Sequence, residues 1–197
     1  MKAFGNWENV QAAKEREQLP KGGYVVRIMD AAIREFQGQR GSFERFEVSI
    51  DIAEGEYKDY YAQDYRAQSG EDKRWRGVLR MYLPKEDGSK EDERTKSYFK
   101  TMIEAIEDSN TGYHWDWNEK GLKGKVVGCL VRAEEWEMNG RSGWCTKPFR
   151  FVPIADIREN RFKVPKDKPL RQDATPKASV NSAAAADEIL PIDDLPF

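Results

Sequence analysis

The sequence predicts an all-β domain that contains one helix and is followed by a tail without regular structure. Five segments have the β-branched content or two-residue alternation of strands, and one segment has apolar residues at helical spacing. After about residue 163 the composition shifts to proline, alanine and charged residues, which cannot form a core. We therefore expect one domain over residues 1–163, and a disordered linker with a terminal tip over residues 164–197.

Three strands are predicted in the first half of the domain. Tyr24–Ile33 is rich in β-branched residues, and Trp75–Leu83 is a shorter apolar segment that ends before a proline. The segment between them alternates strictly between apolar and polar positions. Its apolar positions, which should face the core, are Phe46, Val48, Ile50 and Ile52. Residues 57–74 contain four tyrosines but have no clear periodicity.

A helix and a hairpin complete the order of elements. An apolar stripe predicts a helix from about Arg94 to Asp108. Two further strands, Gly124–Ala133 and Trp144–Val152, are joined through Asn139-Gly140, the signal of a tight hairpin. Three strands, one helix and a two-stranded hairpin is the order of an OB-fold, a five-stranded, partly open Greek-key barrel.

The charge of the chain does not by itself indicate a partner. The chain has 33 Lys and Arg against 35 Asp and Glu, and the last 20 residues hold four acids and no base. The body is therefore close to neutral, so the position of each base matters more than the total. No apolar run approaches the length of a membrane span, so we expect no membrane partner.

Aromatic and basic residues are interleaved on the predicted strands and in the segment before strand three. Exposed rings stack on bases of any kind, contributing roughly 1–3 kcal/mol each, and nearby cations follow the phosphates. The interleaving predicts a surface for single-stranded nucleic acid, flanked by Arg40 in a flexible loop over residues 37–42 and by Arg141 in the hairpin. The predicted contacts are Tyr60, Tyr61, Tyr65, Arg66, Arg74, Trp75, Arg76, Arg80, Tyr82, Trp144, Lys147, Phe149 and Arg150.

Each of these rings has an alternative role, which is to fill the interior of the barrel. We expect Trp115 and Trp117 to plug one barrel end, and contact with DNA is the alternative for these two rings. Sequence alone does not decide between stacking and packing for any single ring.

The final segment has its own chemistry. It reads Asp193-Asp194-Leu195-Pro196-Phe197. An apolar pocket can accept the ring of Phe197 while a cation binds its carboxylate, and the proline reduces the entropy lost on docking. The segment resembles the C-terminal tip of bacterial single-stranded DNA-binding proteins, which is a few acids followed by a hydrophobic residue, Pro and Phe. Leu195 stands where isoleucine is usual.

The resemblance, taken with the OB-like order, is to single-stranded DNA-binding proteins of phage and prophage type. It implies a protein that coats single-stranded DNA in replication, recombination and repair, in the cytoplasm of a bacterial host. It further implies that the tip, residues 193–197, recruits replication and recombination proteins. The sequence leaves open whether the chain is a monomer or a dimer.

No catalytic or metal-binding motif is found. His114 is the only histidine, and Cys129 and Cys145 lie too far apart for a CxxC pair. We expect two free thiols, no metal, no cofactor and no enzymatic activity. A protein-protein adaptor without strong DNA binding remains the alternative, and a nuclease or recombination enzyme is a third reading.

Overall fold

The computed structural model describes residue 5 and residues 17–38, 41–69 and 71–170. Within these residues, five strands form one sheet: β1 (Gly22–Gly38), β2 (Gly41–Ile52), β3 (Val78–Tyr82), β4 (Val126–Met138) and β5 (Arg141–Val152). The helices of the same part of the chain are α1 (Tyr60–Ala67), α2 (Lys90–Ser109), a 3-10 helix (Glu119–Leu122) and α3 (Ile154–Arg158). The predominantly β architecture is confirmed, with two short α-helices besides the predicted one.

The strands pair in the order β3-β2-β1-β4-β5, and every neighbouring pair is antiparallel. β1 serves both halves of the sheet, because Gly22–Arg27 pairs with β4 while Val26–Gly38 pairs with β2. A register shift between Ile28 and Asp30 lies just beyond the point where β1 leaves β4. The edge strands β3 and β5 approach within 8 Å between Cα atoms, so the sheet curves back on itself.

The core lies inside this curve. The four alternating apolar residues of β2 are buried as predicted, and β4 adds Val127, Cys129 and Val131. α2 closes the interior with Met102, Ile103 and Ile106. Burial of one such aliphatic side chain contributes roughly 1.5–3 kcal/mol relative to exposure, so the inward faces provide the main stabilisation.

α2 begins earlier than the apolar stripe predicts. Ser89 caps its N-terminus by accepting a hydrogen bond from the Asp92 amide at 3.1 Å, and three acids occupy the first turn. These residues favour a helix start by capping and by the helix dipole, without contributing to the stripe. The helix therefore starts at Lys90 and not near Arg94.

The hairpin of β1 and β2 is longer than predicted. Gln37 pairs with Ser42 and Gly38 with Gly41, so the prediction of a flexible loop over residues 37–42 is wrong at all four of these positions. The rings of Phe36 and Phe43 stack across the two strands just before this end. Cross-strand aromatic pairs stabilise a ladder that glycine and glutamine alone would not favour.

α1 lies in the segment that sequence periodicity left unassigned. Its N-terminus is held by Asp51 of β2, which accepts hydrogen bonds from the amides of Tyr61 at 2.9 Å and Ala62 at 3.1 Å. Asp51 is only 4% exposed. Burial raises the pKa of its carboxyl, although the backbone amides of Tyr61, Ile52 and Ala62 act in the opposite direction.

The β4–β5 turn is formed as predicted. Asn139 and Gly140 both have positive φ, at 52° and 71°, which is the conformation of a type I′ turn. At the other end of the domain, Lys168 pairs with β4, donating to Ala133 O and accepting from the Glu135 amide, both at 2.9 Å. These contacts thus continue past residue 163, the expected end of the domain.

Across the described ranges, none of the helices has the length and apolar character needed to span a bilayer.

Candidate nucleic-acid interface

The outward face of β1, β2 and β3 carries a continuous set of rings and arginines. Because β2 buries its even-numbered residues from Phe46 onward, its odd-numbered residues face away from the core. The register places neighbours from β1 and β3 beside them. We call this set the outer-face cluster: Arg34, Phe36, Phe43, Arg45, Glu47, Arg80 and Tyr82.

The rings of this cluster come from three strands. Phe36 and Phe43 are 5.8 Å apart between centroids with an interplanar angle of 20°, and Tyr82 lies 5.7 Å from Phe43. The Arg45 guanidinium lies 4.0 Å from the centre of the Phe36 ring. All three rings are half-buried, so they pack on one another and still reach the surface. Flat groups in this arrangement are suited to stacking with nucleobases.

Glu47 links the arginines of the cluster. Its Oε1 lies 2.9 Å from Nη2 of Arg45 and 3.0 Å from Nε of Arg80, and its Oε2 lies 3.4 Å from Nε of Arg34. Three guanidinium groups against one carboxylate leave the cluster with a net positive charge. The side chains of Arg34 and Arg80 are 61% and 45% exposed, so this charge is available to a ligand in solution.

A second group that also combines an aromatic ring, cations and a carboxylate lies on β4 and β5. We call it the β4–β5 cluster. Arg132 lies 4.1 Å from the centre of the Phe149 ring. Glu134 contacts Arg132 at 2.9 Å and Lys147 at 3.0 Å. Burial acts to raise the pKa of Glu134, but the two cations outweigh it and hold the pKa below its usual value. Glu134 is therefore an anion at neutral pH.

The structure brings four predicted contacts into these clusters. Arg80 and Tyr82 belong to the outer-face cluster, and Lys147 and Phe149 belong to the β4–β5 cluster. Trp144 and Arg141 are exposed on β5, toward the turn of the hairpin. Since β3 and β5 are close together, the β3 members of the first cluster and the β5 members of the second lie on neighbouring sheet edges.

Two of the tyrosines that were predicted to contact nucleic acid have structural roles instead. Tyr61 is buried, and its ring lies so close to Gly77 that a Cβ there would be 2.4 Å from it. Its assignment as a stacking residue is therefore corrected, because no base can reach the ring. The Tyr60 hydroxyl accepts from the Leu19 amide at 3.1 Å and donates to Glu17 O at 3.3 Å, which holds the segment before β1.

Trp75 does not belong to β3, which begins at Val78. Its indole Nε1 donates to Ile50 O at 3.0 Å and its half-buried ring packs on the core. Tyr65 of α1 is exposed beside it, with ring centroids 6.0 Å apart. These two rings form a separate aromatic pair. Among the described residues, no ring contact or hydrogen bond joins this pair to the outer-face cluster.

The remaining basic residues that were predicted to contact nucleic acid lie on α1, just before β3 and on β5. Arg76 contacts the buried Asp64 at 3.4 Å while most of its side chain stays exposed. Arg66 and Arg74 are exposed, and Arg150 is half-buried on β5 opposite Leu130. Arg40 and the tip residues Asp193, Asp194, Leu195, Pro196 and Phe197 lie outside the described residues.

The two tryptophans that were predicted to plug a barrel end differ in burial. Trp115 is half-buried and its ring lies 6.3 Å from that of Phe99, against the core. Trp117 is 82% exposed, so its ring is not part of the packed interior.

Sequence reasoning missed five members of the outer-face cluster: Arg34, Phe36, Phe43, Arg45 and Glu47. A signal was present on β2, because the alternation of Phe46, Val48 and Ile50 extends backward to place Phe43, Arg45 and Glu47 on the opposite face. The β1 residues carried no such signal, since the register of the hairpin was unknown and its end was assigned to a loop.

Among the residues that the structure describes, no group of three or more His, Cys, Asp or Glu side chains could hold a metal ion. Cys129 is buried and Cys145 is half-buried, and both are free thiols. Comparison of the sequence with models of known protein families and with curated proteins finds no match.

Proposed function

We propose that this protein binds single-stranded DNA without sequence preference on the outer surface of an OB-type barrel. Three features support the OB assignment: the strand order with β1 shared between β2 and β4, the approach of β3 to β5, and the position of α2 between β3 and β4. An OB-fold is a five-stranded, partly open Greek-key barrel that binds oligonucleotides on the face of its second and third strands.

The outer-face cluster is the observation that carries the proposal. It lies on β2 and β3 with a contribution from β1, and it combines three rings with three arginines. Rings stack on any base, and guanidinium groups bind phosphates regardless of sequence. A surface built from these two kinds of group favours binding of any single strand, because duplex DNA keeps its bases stacked inside.

Two long hairpins belong to the same sheet as this face. β1 and β2 pair as far as Gly38 and Gly41, whereas β3 reaches only to Arg45 of β2. β4 and β5 pair as far as Met138 and Arg141. A nucleic-acid strand that passes between the two hairpins would contact β2 and β3 and would meet cations from both sides.

The proposal includes recruitment of replication and recombination proteins through the tip, residues 193–197. This part rests on the sequence of the tip, which lies outside the described residues. An aromatic ring after paired acids fits a small apolar pocket with a basic rim on a partner protein.

Titration with oligo-dT tests the proposal. We expect binding that weakens as salt rises, because phosphate contacts release counterions, and much weaker binding to a duplex of the same length. Phe43→Leu should reduce affinity by roughly 1–3 kcal/mol, since leucine keeps the apolar volume and removes the stacking ring. Trp117→Ala removes an exposed ring outside the cluster and serves as the control.

Intrinsic fluorescence and anisotropy of a labelled oligonucleotide are the measurements. Equal affinity for duplex and single strand would contradict the proposal. Loss of affinity in Trp117→Ala but not in Phe43→Leu would move the binding surface away from the outer-face cluster.

A further inference from the structure

Glu47 contacts every arginine of the outer-face cluster, and both of its carboxylate oxygens are engaged. Oε1 accepts from Arg45 and Arg80, while Oε2 faces Nε of Arg34. The side chain is 13% exposed. Glu47 therefore has little capacity left to accept a hydrogen bond from a nucleobase, and any effect on a ligand must act through the arginines or through its charge.

Arg34 and Arg80 meet Glu47 through Nε. Neither of them has another hydrogen bond or ion pair to a residue that the structure describes. The two side chains are 61% and 45% exposed, so their terminal nitrogens remain available to a ligand. A planar pair of terminal N–H groups matches the oxygens of a phosphate. The carboxylate orients two phosphate-binding groups and at the same time cancels part of their charge.

We propose that Glu47 limits the affinity of the outer-face cluster for single-stranded DNA, as a resident anion that competes with phosphate for the same arginines. The inference rests on the proposed function. When DNA is bound, the guanidinium groups are shared between the phosphates and Glu47. When DNA dissociates, Glu47 still neutralises one positive charge of the cluster. The free protein therefore carries fewer uncompensated charges than it would without Glu47.

Neutralising Glu47 has two opposing effects. It weakens the orientation of the arginines, and it removes an anion that repels the incoming phosphates. In Glu47→Gln the amide oxygen still accepts hydrogen bonds from Arg45 and Arg80, which keeps these two guanidinium groups in place. The side chains of Arg34 and Arg80 are 61% and 45% exposed, and ion pairs to groups this exposed contribute little. The removed charge acts on phosphates a few ångströms away, so its effect dominates when salt is low.

Oligo-dT titrations of the full chain at several salt concentrations test the inference. Glu47→Gln should bind about threefold tighter or more at low salt. The slope of log K against log salt should become steeper by about 0.7, the value for one additional phosphate neutralised on a single strand. Both differences should shrink as salt rises.

Glu44→Gln is the matched control. Glu44 is exposed on the same strand but on the opposite face, and its substitution changes the net charge by the same amount. It should alter affinity much less than Glu47→Gln. If circular dichroism shows that Glu47→Gln does not fold, Glu47→Thr removes the same charge with a residue that strands favour.

Unchanged or weaker binding by the folded, neutralised variant would overturn the inference. An equal gain in Glu44→Gln would also overturn it, because net charge would then explain the effect. Absence of oligo-dT binding by the unsubstituted protein is a different result, since it contradicts the proposed function itself.

Discussion

Asp51 is a buried carboxylate, and its hydrogen-bond donors within the described part of the chain are backbone amides. It accepts from the Tyr61 and Ala62 amides at the start of α1, and from its neighbour Ile52 at 2.9 Å. The residue that precedes α1, Asp59, has a left-handed backbone conformation and makes no capping hydrogen bond with its side chain. The helix is thus capped from the sheet, which attaches α1 to β2.

Asp51→Asn should destabilise the protein by roughly 1–3 kcal/mol. The amide group of asparagine has one oxygen in place of two, so at least one buried backbone amide loses its acceptor. Urea unfolding followed by fluorescence measures the change. Asp59→Asn is the control and should have little effect, because asparagine tolerates the left-handed conformation. Equal stability of Asp51→Asn and the unsubstituted protein would show that the cap is dispensable.

Among the elements, β4 pairs with a short segment that follows α3. β1 pairs with β4 only as far as Val131, and the edge beyond it is occupied by Lys168. Leu170 also donates its amide to Glu135 Oε2 at 3.0 Å, and Asp167 contacts Lys21 at 2.9 Å. This short segment covers backbone groups that would otherwise form an open sheet edge.

A chain that ends at residue 163 should therefore be less stable than one that ends at residue 170. Two backbone hydrogen bonds to β4 are lost, at about 0.5–1.5 kcal/mol each. Thermal unfolding of both truncated chains beside the full chain measures the effect. The chain that ends at residue 170 should match the full chain in stability. If the two truncations are equally stable, the segment over 164–170 does not contribute to the domain.

At the scale of the whole molecule, the two proposed activities are carried by separate parts of the chain. The proposed DNA surface lies on β1, β2 and β3, with the β4–β5 cluster nearby, while the tip follows at the end of the sequence. Loss of one activity should therefore leave the other in place.

Deletion of Phe197 should abolish recruitment without weakening DNA binding. Phe197 supplies the aromatic ring of the proposed tip, and a short peptide buries little other surface, so we expect affinity for a partner in the micromolar range, about −8 kcal/mol. The measurement is a pull-down of replication and recombination proteins from a bacterial lysate with each form of the protein. Recovery of the same proteins by both forms would show that the tip is not the recruiting element.

Features that depend on local patterns could be predicted from the sequence. Alternation identified the buried face of β2, the apolar stripe identified α2, and Asn139-Gly140 identified the turn between β4 and β5. Each of these signals comes from residues close together in the chain, where the two-residue repeat of a strand or the 3.6-residue repeat of a helix sets which side is buried.

Which aromatic rings and basic side chains share a surface could not be predicted, because it depends on how distant segments pair. The pairing register set Phe36 beside Phe43 and Arg80 beside Glu47, and no periodicity within a single strand contains that information. Tyr61 and Tyr65 are both tyrosines of the same short helix, yet packing against Gly77 buries the first while the second stays exposed. Burial of a ring depends on what other segments pack against it, and contacts between distant segments exist only once the sheet has folded.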